Sequence, residues 1–257
     1  MNGRAQQVAF KAILVREVLR FSRIWIQTVL PPMITTALYF VIFGRLIGSQ
    51  IGDIHGFQYM EYIVPGLILM AVITNSYANV VASFYSAKFQ HNIEEMLVAP
   101  VPNYLIMIGF VGGGVARGLA VGFAVTMVAL FFTAIPLHNL GVAISVLLLT
   151  SILFSLAGLI NAIYATSFDH ISIIPTFVLT PLTYLGGVFY TVAMLPPFWQ
   201  KVSQANPILY MVNAFRYGLL GVSDVNLVHA YLAIAGFIAG LFWYALYLLN
   251  RGYGIRS

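Results

Sequence analysis

The sequence has no cysteine and very little charge, with 7% of its 257 residues being Asp, Glu, Lys or Arg. Without cysteine, disulfides, thiolate metal sites and cysteine nucleophiles are excluded. The shortage of charge excludes more. A soluble domain carries about 25% charged residues. A chain with 7% charged and 61% hydrophobic residues cannot cover a globule with groups that water solvates. Its solvent is therefore a lipid bilayer. One helical crossing needs about 20 apolar residues, so six crossings take roughly half of a chain this long.

Catalytic patterns are missing as well. The five histidines (His55, His91, His138, His170 and His229) are scattered through loops with no i,i+4 pair. Neither His-Glu-x-x-His nor Gly-x-Ser-x-Gly occurs. The apolar runs hold hydroxyls but no histidine or aspartate to activate them, which weakens an intramembrane hydrolase. A proton-coupled transporter is expected to hold a carboxylate deep in a span, and here Glu61 at a span end is the deepest. Gly112-Gly113-Gly114 is not followed by Gly-Lys-Ser/Thr, so no phosphate loop and no nucleotide site is read in this chain. No catalytic, cofactor-binding or metal residue is assigned. A stand-alone intramembrane enzyme and an ion-coupled secondary transporter remain the alternative readings.

The net charge of +5 is sorted by membrane side rather than read as a nucleic-acid site. Residues 1–23 hold Arg4, Lys11, Arg16, Arg20 and Arg23. Read as a helix, Arg16, Arg20 and Arg23 share one face and Arg4, Gln7 and Lys11 another. Val8, Ala12, Val15 and Leu19 make an apolar stripe between them. Such a helix lies along the inner membrane surface or acts as a plain positive-inside anchor. The apolar run behind it is longer than a signal h-region and lacks a small-residue cleavage site, so it is read as a retained span.

The reading along the chain is all-α and integral to the membrane, one domain over 1–257. Spans are expected at 24–47, 62–83, 104–135, 141–165, 171–191 and 228–250. Pro31-Pro32 should kink or break the first, and Pro175 and Pro181 interrupt the fifth. The third stretch is long enough to start below the surface or to tilt strongly. Residues 84–103 read as a short amphipathic cytoplasmic helix ended by Pro100 and Pro102. Residues 192–227, too short to cross and too apolar for water, read as an outer re-entrant hairpin. Eight basic residues (4, 11, 16, 20, 23, 88, 251, 256) then face inward and three (45, 201, 216) outward. Both termini are placed in the cytoplasm.

Glycines at four-residue spacing (Gly109/Gly113, Gly114/Gly118/Gly122 and Gly236/Gly240) are read as close helix packing. Asn75, Asn79, Ser83 and Ser86 share one face of the second span, and Ser151 and Ser155 do so on the fourth, with Asn161 further along. Each set either lines a path or bonds neighbouring helices. Arg117 lies within an apolar run. It is either functional or snorkels to the inner headgroups. Pathway candidates are Pro31, Pro32, Asn75, Asn79, Thr180 and Tyr184, on the first, second and fifth spans. A wall this apolar suits an amphipathic substrate: a lipid, a lipid-linked glycan or a hydrophobic drug.

One pattern is specific. Leu179-x2-Leu182-x2-Leu185-Gly186-x-Val188-x6-Leu195-Pro196-x10-Pro207-Ile208-Leu209-Tyr210-x5-Arg216 resembles the signature of ABC-2 type permeases, the membrane subunits of bacterial ABC exporters. The layout of the whole chain is similar too. Gly186-Gly187-Val188-Phe189 and Leu195-Pro196-Pro197-Phe198-Trp199 resemble the branch that holds lipo-oligosaccharide, polysaccharide and drug exporters. The resemblance implies a homodimer of twelve spans in the bacterial inner membrane, with two separate ATP-binding cassette subunits beneath it. ATP and Mg²⁺ belong to those partners. It also implies a coupling helix around 85–99, carrying Lys88, Asn92, Glu94, Glu95, Met96 and Leu97. Residues 4–22 become an interface helix with Lys11, Arg16 and Arg20. The outer hairpin holds Pro196, Pro197, Trp199, Pro207, Tyr210 and Arg216.

Overall fold

The computed structural model describes residues 3–93, 96 and 101–254, with backbone only at 45–47 and 49. Among them every regular element is helical, and one isolated bridge pairs Ile54 with Phe57. Helix α1 is Gly3–Arg23 and α2 is Trp25–Tyr39, which continues through a wider-turned Phe40–Ile47 into Gly48–Ile51. Then come α3 (Tyr59–Phe89), α4 (Asn103–Phe132) and α5 (Leu140–Tyr164). Residues 170–184 form α6. After it come α7 (Pro197–Gln204), α8 (Pro207–Leu220) and α9 (Leu227–Arg251).

Local chemistry sets most of these limits. α3 opens on a reciprocal cap in which Glu61 accepts from the Gln58 N–H at 3.3 Å. Asn139, Asn206 and Asn226 each cap the helix that follows, accepting from the N–H of Val142, Ile208 and Val228. α8 and α9 stop at Gly221 and Gly252, both left-handed, where glycine has no Cβ to clash.

α3 is the axis of the molecule and its most buried long helix. α4 and α5 pack against it, α1 lies across α4, and α8 and α9 cover α5. α2 and α9 are the most exposed of the membrane-length apolar helices. The close approaches run through glycine, as expected for membrane helices. A Cβ on Gly158 of α5 would lie 2.6 Å from the Tyr77 carbonyl of α3, and one on Gly118 would collide with Ser76 Oγ. Gly109 and Gly113 receive Ile13 and Glu17 of α1. Gly236 and Gly240 differ, since nothing lies within 4 Å of a Cβ at either. Their spacing serves no packing among the described residues.

Among the described residues five helices are long and apolar enough to cross a bilayer, where six were expected. The fifth expected span shrinks to α6, whose 15 residues reach about 22 Å, short of a hydrocarbon core of about 30 Å. The prolines explain its shape. Pro175 has no N–H for the Ile171 carbonyl, and the Asn161 side chain of α5 donates there instead at 3.2 Å. Beyond it the turn widens, and Thr180 Oγ1 donates to the Pro175 carbonyl at 2.9 Å. Pro31-Pro32 does not break α2, which runs through both. The segment expected as a separate helix from residue 84 belongs to α3 as far as Phe89. The stripe of Val8, Val15 and Leu19 stays exposed. α1 instead buries Glu17 and Phe21, with Ile13 packed against the core.

Candidate functional site

Three polar positions on one face of α3, Asn75, Asn79 and Ser83, are four residues apart, so they stack one turn above another. Each meets a charged side chain from another helix. Ser83 donates to Glu17 Oε2 of α1 at 2.5 Å. Arg20 of α1 donates to the Asn79 side-chain oxygen at 2.8 Å and to its carbonyl at 3.0 Å. Arg117 of α4 donates to Asn75 Oδ1 at 3.1 Å. Glu17 is 1% exposed and also accepts from Arg16 and Arg20 at 3.2 and 3.3 Å. A carboxylate that buried is stable only because two guanidinium groups and a hydroxyl satisfy it.

Glu17 escaped the sequence reading, although a signal was present: it is the single acid among five basic residues in 1–23. Arg117 is the fifteenth residue of α4, about 21 Å along the axis from its first residue. Its bond to Asn75 therefore lies at mid-helix.

Above this ladder a cavity of about 370 Å³ opens between α2 and α3. From α2 it is walled by Gln27, Thr28, Pro31, Pro32, Thr35 and Thr36. Leu67, Met70, Thr74 and Asn75 form the α3 side, and Arg117 closes it. Of the six pathway candidates, Pro31, Pro32 and Asn75 meet here. Asn79 is fully buried beneath, held by Arg20. Thr180 is bonded within α6, and Tyr184 meets Tyr39 of α2, hydroxyl to hydroxyl, at 3.2 Å.

Where an outer re-entrant hairpin was expected stand two successive helices, α7 and α8, anchored under the end of α6. Pro196 and Pro197 start α7, where a missing N–H costs nothing. Pro207 does the same for α8, Tyr210 donates to the Gln204 carbonyl, and Trp199 is exposed. The carbonyls at the end of α6 are then collected. Asn206 donates to Leu182, Ser203 to Leu185 and Arg216 to Gly187, each at 2.6 Å. Arg216 is fully buried and lies 4.0 Å from the Tyr62 ring centroid of α3. Asp224, which follows α8, accepts an ion-pair contact from His55 at 3.3 Å, tying the 52–57 loop to the hairpin.

At the opposite end, Lys88 donates to the Ile163 and Ala165 carbonyls at 2.8 and 2.7 Å, closing the C-terminus of α5. Lys88 therefore holds two helices together. Asn92 donates to Gln90, and Met96 packs against the core. Glu94, Glu95 and Leu97 lie outside the described residues. On α1, Lys11 and Arg16 are exposed and Arg20 is partly so.

Comparison with known proteins agrees with this architecture. The chain is 58% identical over 250 residues to the inner membrane transport permease YadH of Escherichia coli (strain K12), covering 97% of this chain and 98% of that protein. It is 22% identical over 216 residues to nodulation protein J of Rhizobium leguminosarum bv. viciae, covering 84% and 83%. The nodulation protein J of Rhizobium meliloti (strain 1021) is 24% identical over 211 residues, covering 82% and 80%. The model of the ABC-2 type transporter family matches residues 8–220, from α1 to the last residue of α8. With its helical membrane fold and a match over most of its length, the chain belongs to the ABC-2 type transporter family.

Proposed function

We propose that this chain is the permease subunit of an ATP-driven exporter in the bacterial inner membrane, acting as a homodimer above two ATP-binding subunits. Family membership and the relative named as an inner membrane transport permease support the class. The observation that carries the mechanism is the fastening of α1 to α3, through Glu17 with Ser83 and Arg20 with Asn79. A motor pressing from the inner side on residues 84–103, the coupling segment, then moves α3 and α1 as one body. ATP and Mg²⁺ act in the partner subunit, and this chain converts its closure into an outward opening.

Six crossings belong to the same proposal. α6 makes a short fifth crossing, and α7 and α8 fold back from the outer side to cap the exit. An even number of crossings puts both termini in the cytoplasm, as the basic residues at the two ends favour. The cavity between α2 and α3 is the entrance to the pathway, for an amphipathic lipid, a lipid-linked glycan or a hydrophobic drug.

Reconstitution into proteoliposomes tests this. The permease with its ATPase subunit should move a labelled amphipath only when ATP is added, and the permease alone should hydrolyse none. Glu94→Lys with Glu95→Lys should weaken association with the ATPase and leave membrane insertion intact. Turnover of ATP by the lone chain, or ATP-independent transport, would refute the reading.

A further inference from the structure

The charges around the ladder do not balance. Arg16, Arg20 and Arg117 bring three cations to one side of α3, and Glu17 is shared between the first two. Among the described residues, Arg117 has no carboxylate within 4.0 Å. Among those residues its hydrogen bond goes to the neutral Asn75 oxygen, and its Nε is buried with no hydrogen-bond partner. Asn75 is fixed in that role because its own amide donates to the Ala71 carbonyl at 3.0 Å. Arg20 and Arg117 bind positions of α3 one turn apart, about 6 Å along the axis, and so add to each other's field. An arginine halfway along a spanning helix without a counter-ion is costly, and such residues mark binding sites.

The cavity supplies what a counter-ion needs. Arg117 forms part of its wall, and Thr28, Thr35 and Thr36 line the α2 side, where the Thr28 hydroxyl already donates to the Trp25 carbonyl at 3.2 Å. Pro31 and Pro32 carry no N–H, so the Gln27 and Thr28 carbonyls lose their helical donors and can accept from a ligand's hydroxyls. The α3 wall at Leu67 and Met70 is apolar. Thr35 and Thr74 are exposed, so the cavity opens to the side between the two helices. A site of this size holds a head group but not a long chain, and a tail must leave through that opening.

We propose that the α2–α3 cavity binds the anionic head group of an amphipathic molecule, a phosphate carried on an apolar tail, with Arg117 as its counter-charge. Resting on the permease reading, this narrows the substrate class from any amphipath to an acidic one. Inorganic phosphate shares the charge but lacks the tail, so it should bind much more weakly.

The test uses the purified complex of permease and ATPase subunit in maltoside detergent, with binding measured by calorimetry. The probes are dioctanoyl phosphatidylglycerol, dioctanoylglycerol with the same tails and no phosphate, and inorganic phosphate. The first should bind at least about tenfold more tightly than either of the others, as one charge-assisted contact permits. Arg117→Gln should abolish that preference, and Arg117→Lys should keep part of it. Thr35→Trp, an exposed position that fills the cavity without touching the ladder, should weaken phosphatidylglycerol binding and guards against misfolding of the arginine variants. Equal binding of the neutral lipid or of inorganic phosphate, or an unchanged preference in Arg117→Gln, would overturn the proposal. An intact, ATP-hydrolysing complex with no lipid preference removes this inference alone. Failure of the wild-type chain to hold any ATPase subunit removes the reading beneath it.

Discussion

Glu17 and Arg117 pose the same problem, a charge among apolar helices, and meet it differently. Glu17 has its counter-charges within this chain, while Arg117 is left with an amide. Their substitutions should therefore behave differently. Glu17→Gln leaves Arg16 and Arg20 without their shared negative charge and should lower stability by about 1–3 kcal/mol, at the low end because both arginines are partly exposed. Thermal unfolding in detergent measures this, and a midpoint equal to the wild type would contradict the ladder. Asn161→Leu strips the Ile171 carbonyl of its substitute donor and should cost about 1 kcal/mol, without the loss of lipid preference expected of Arg117→Gln. The polar stripe itself was legible from spacing, because i,i+4 positions must share a helix face. What each member bonds was not legible, because the partners come from helices remote in sequence.

At the scale of elements, glycine spacing had one meaning in sequence and has two in space. Gly158 and Gly118 sit where helices touch, and Gly236 faces outward. Gly158→Val should prevent α5 from seating on α3 and cost more than about 3 kcal/mol, the upper range for overpacking. Gly236→Leu should leave the fold of a single chain unchanged. Limited proteolysis of the two variants separates them, and equal sensitivity would mean the α3–α5 contact is misplaced. The proline pairs differ from one another as well. Pro31-Pro32 sits in an unbroken α2, since a helix tolerates lost donors where neighbours or a cavity attend to the freed carbonyls. Pro175 does reshape α6, whose turn widens after it, while the helix is short because it ends at Tyr184, just before the left-handed Gly187.

At the scale of the whole molecule, the absence of cysteine makes topology directly testable. Single cysteines placed at Gly3 and Tyr253 should be shielded from a membrane-impermeant maleimide in intact cells. Cysteines at Asp53 and Phe198 should react with it. Labelling of the two ends from opposite sides would break the even-crossing arrangement and the inward docking of a motor with it. That the 192–227 stretch would not form a full span was foreseen from a run too short to cross, and two short helices, α7 and α8, occupy it. Its anchorage by Arg216, Asn206 and Ser203 on the carbonyls of α6 was not foreseen, and Arg216 was counted with the outward-facing basic residues. The structure buries it completely.

Composition alone determined that this chain lives in a bilayer, because 7% charge cannot solvate a globule of this size. Hydropathy determined where most of its long helices lie, since backbone groups in lipid must be satisfied within each segment. Tertiary structure decided which polar groups pair, which glycines touch and where a cation stands without its anion. Those outcomes depend on which helix faces which, and side-chain partners separated by tens of residues leave no periodic trace in a single sequence.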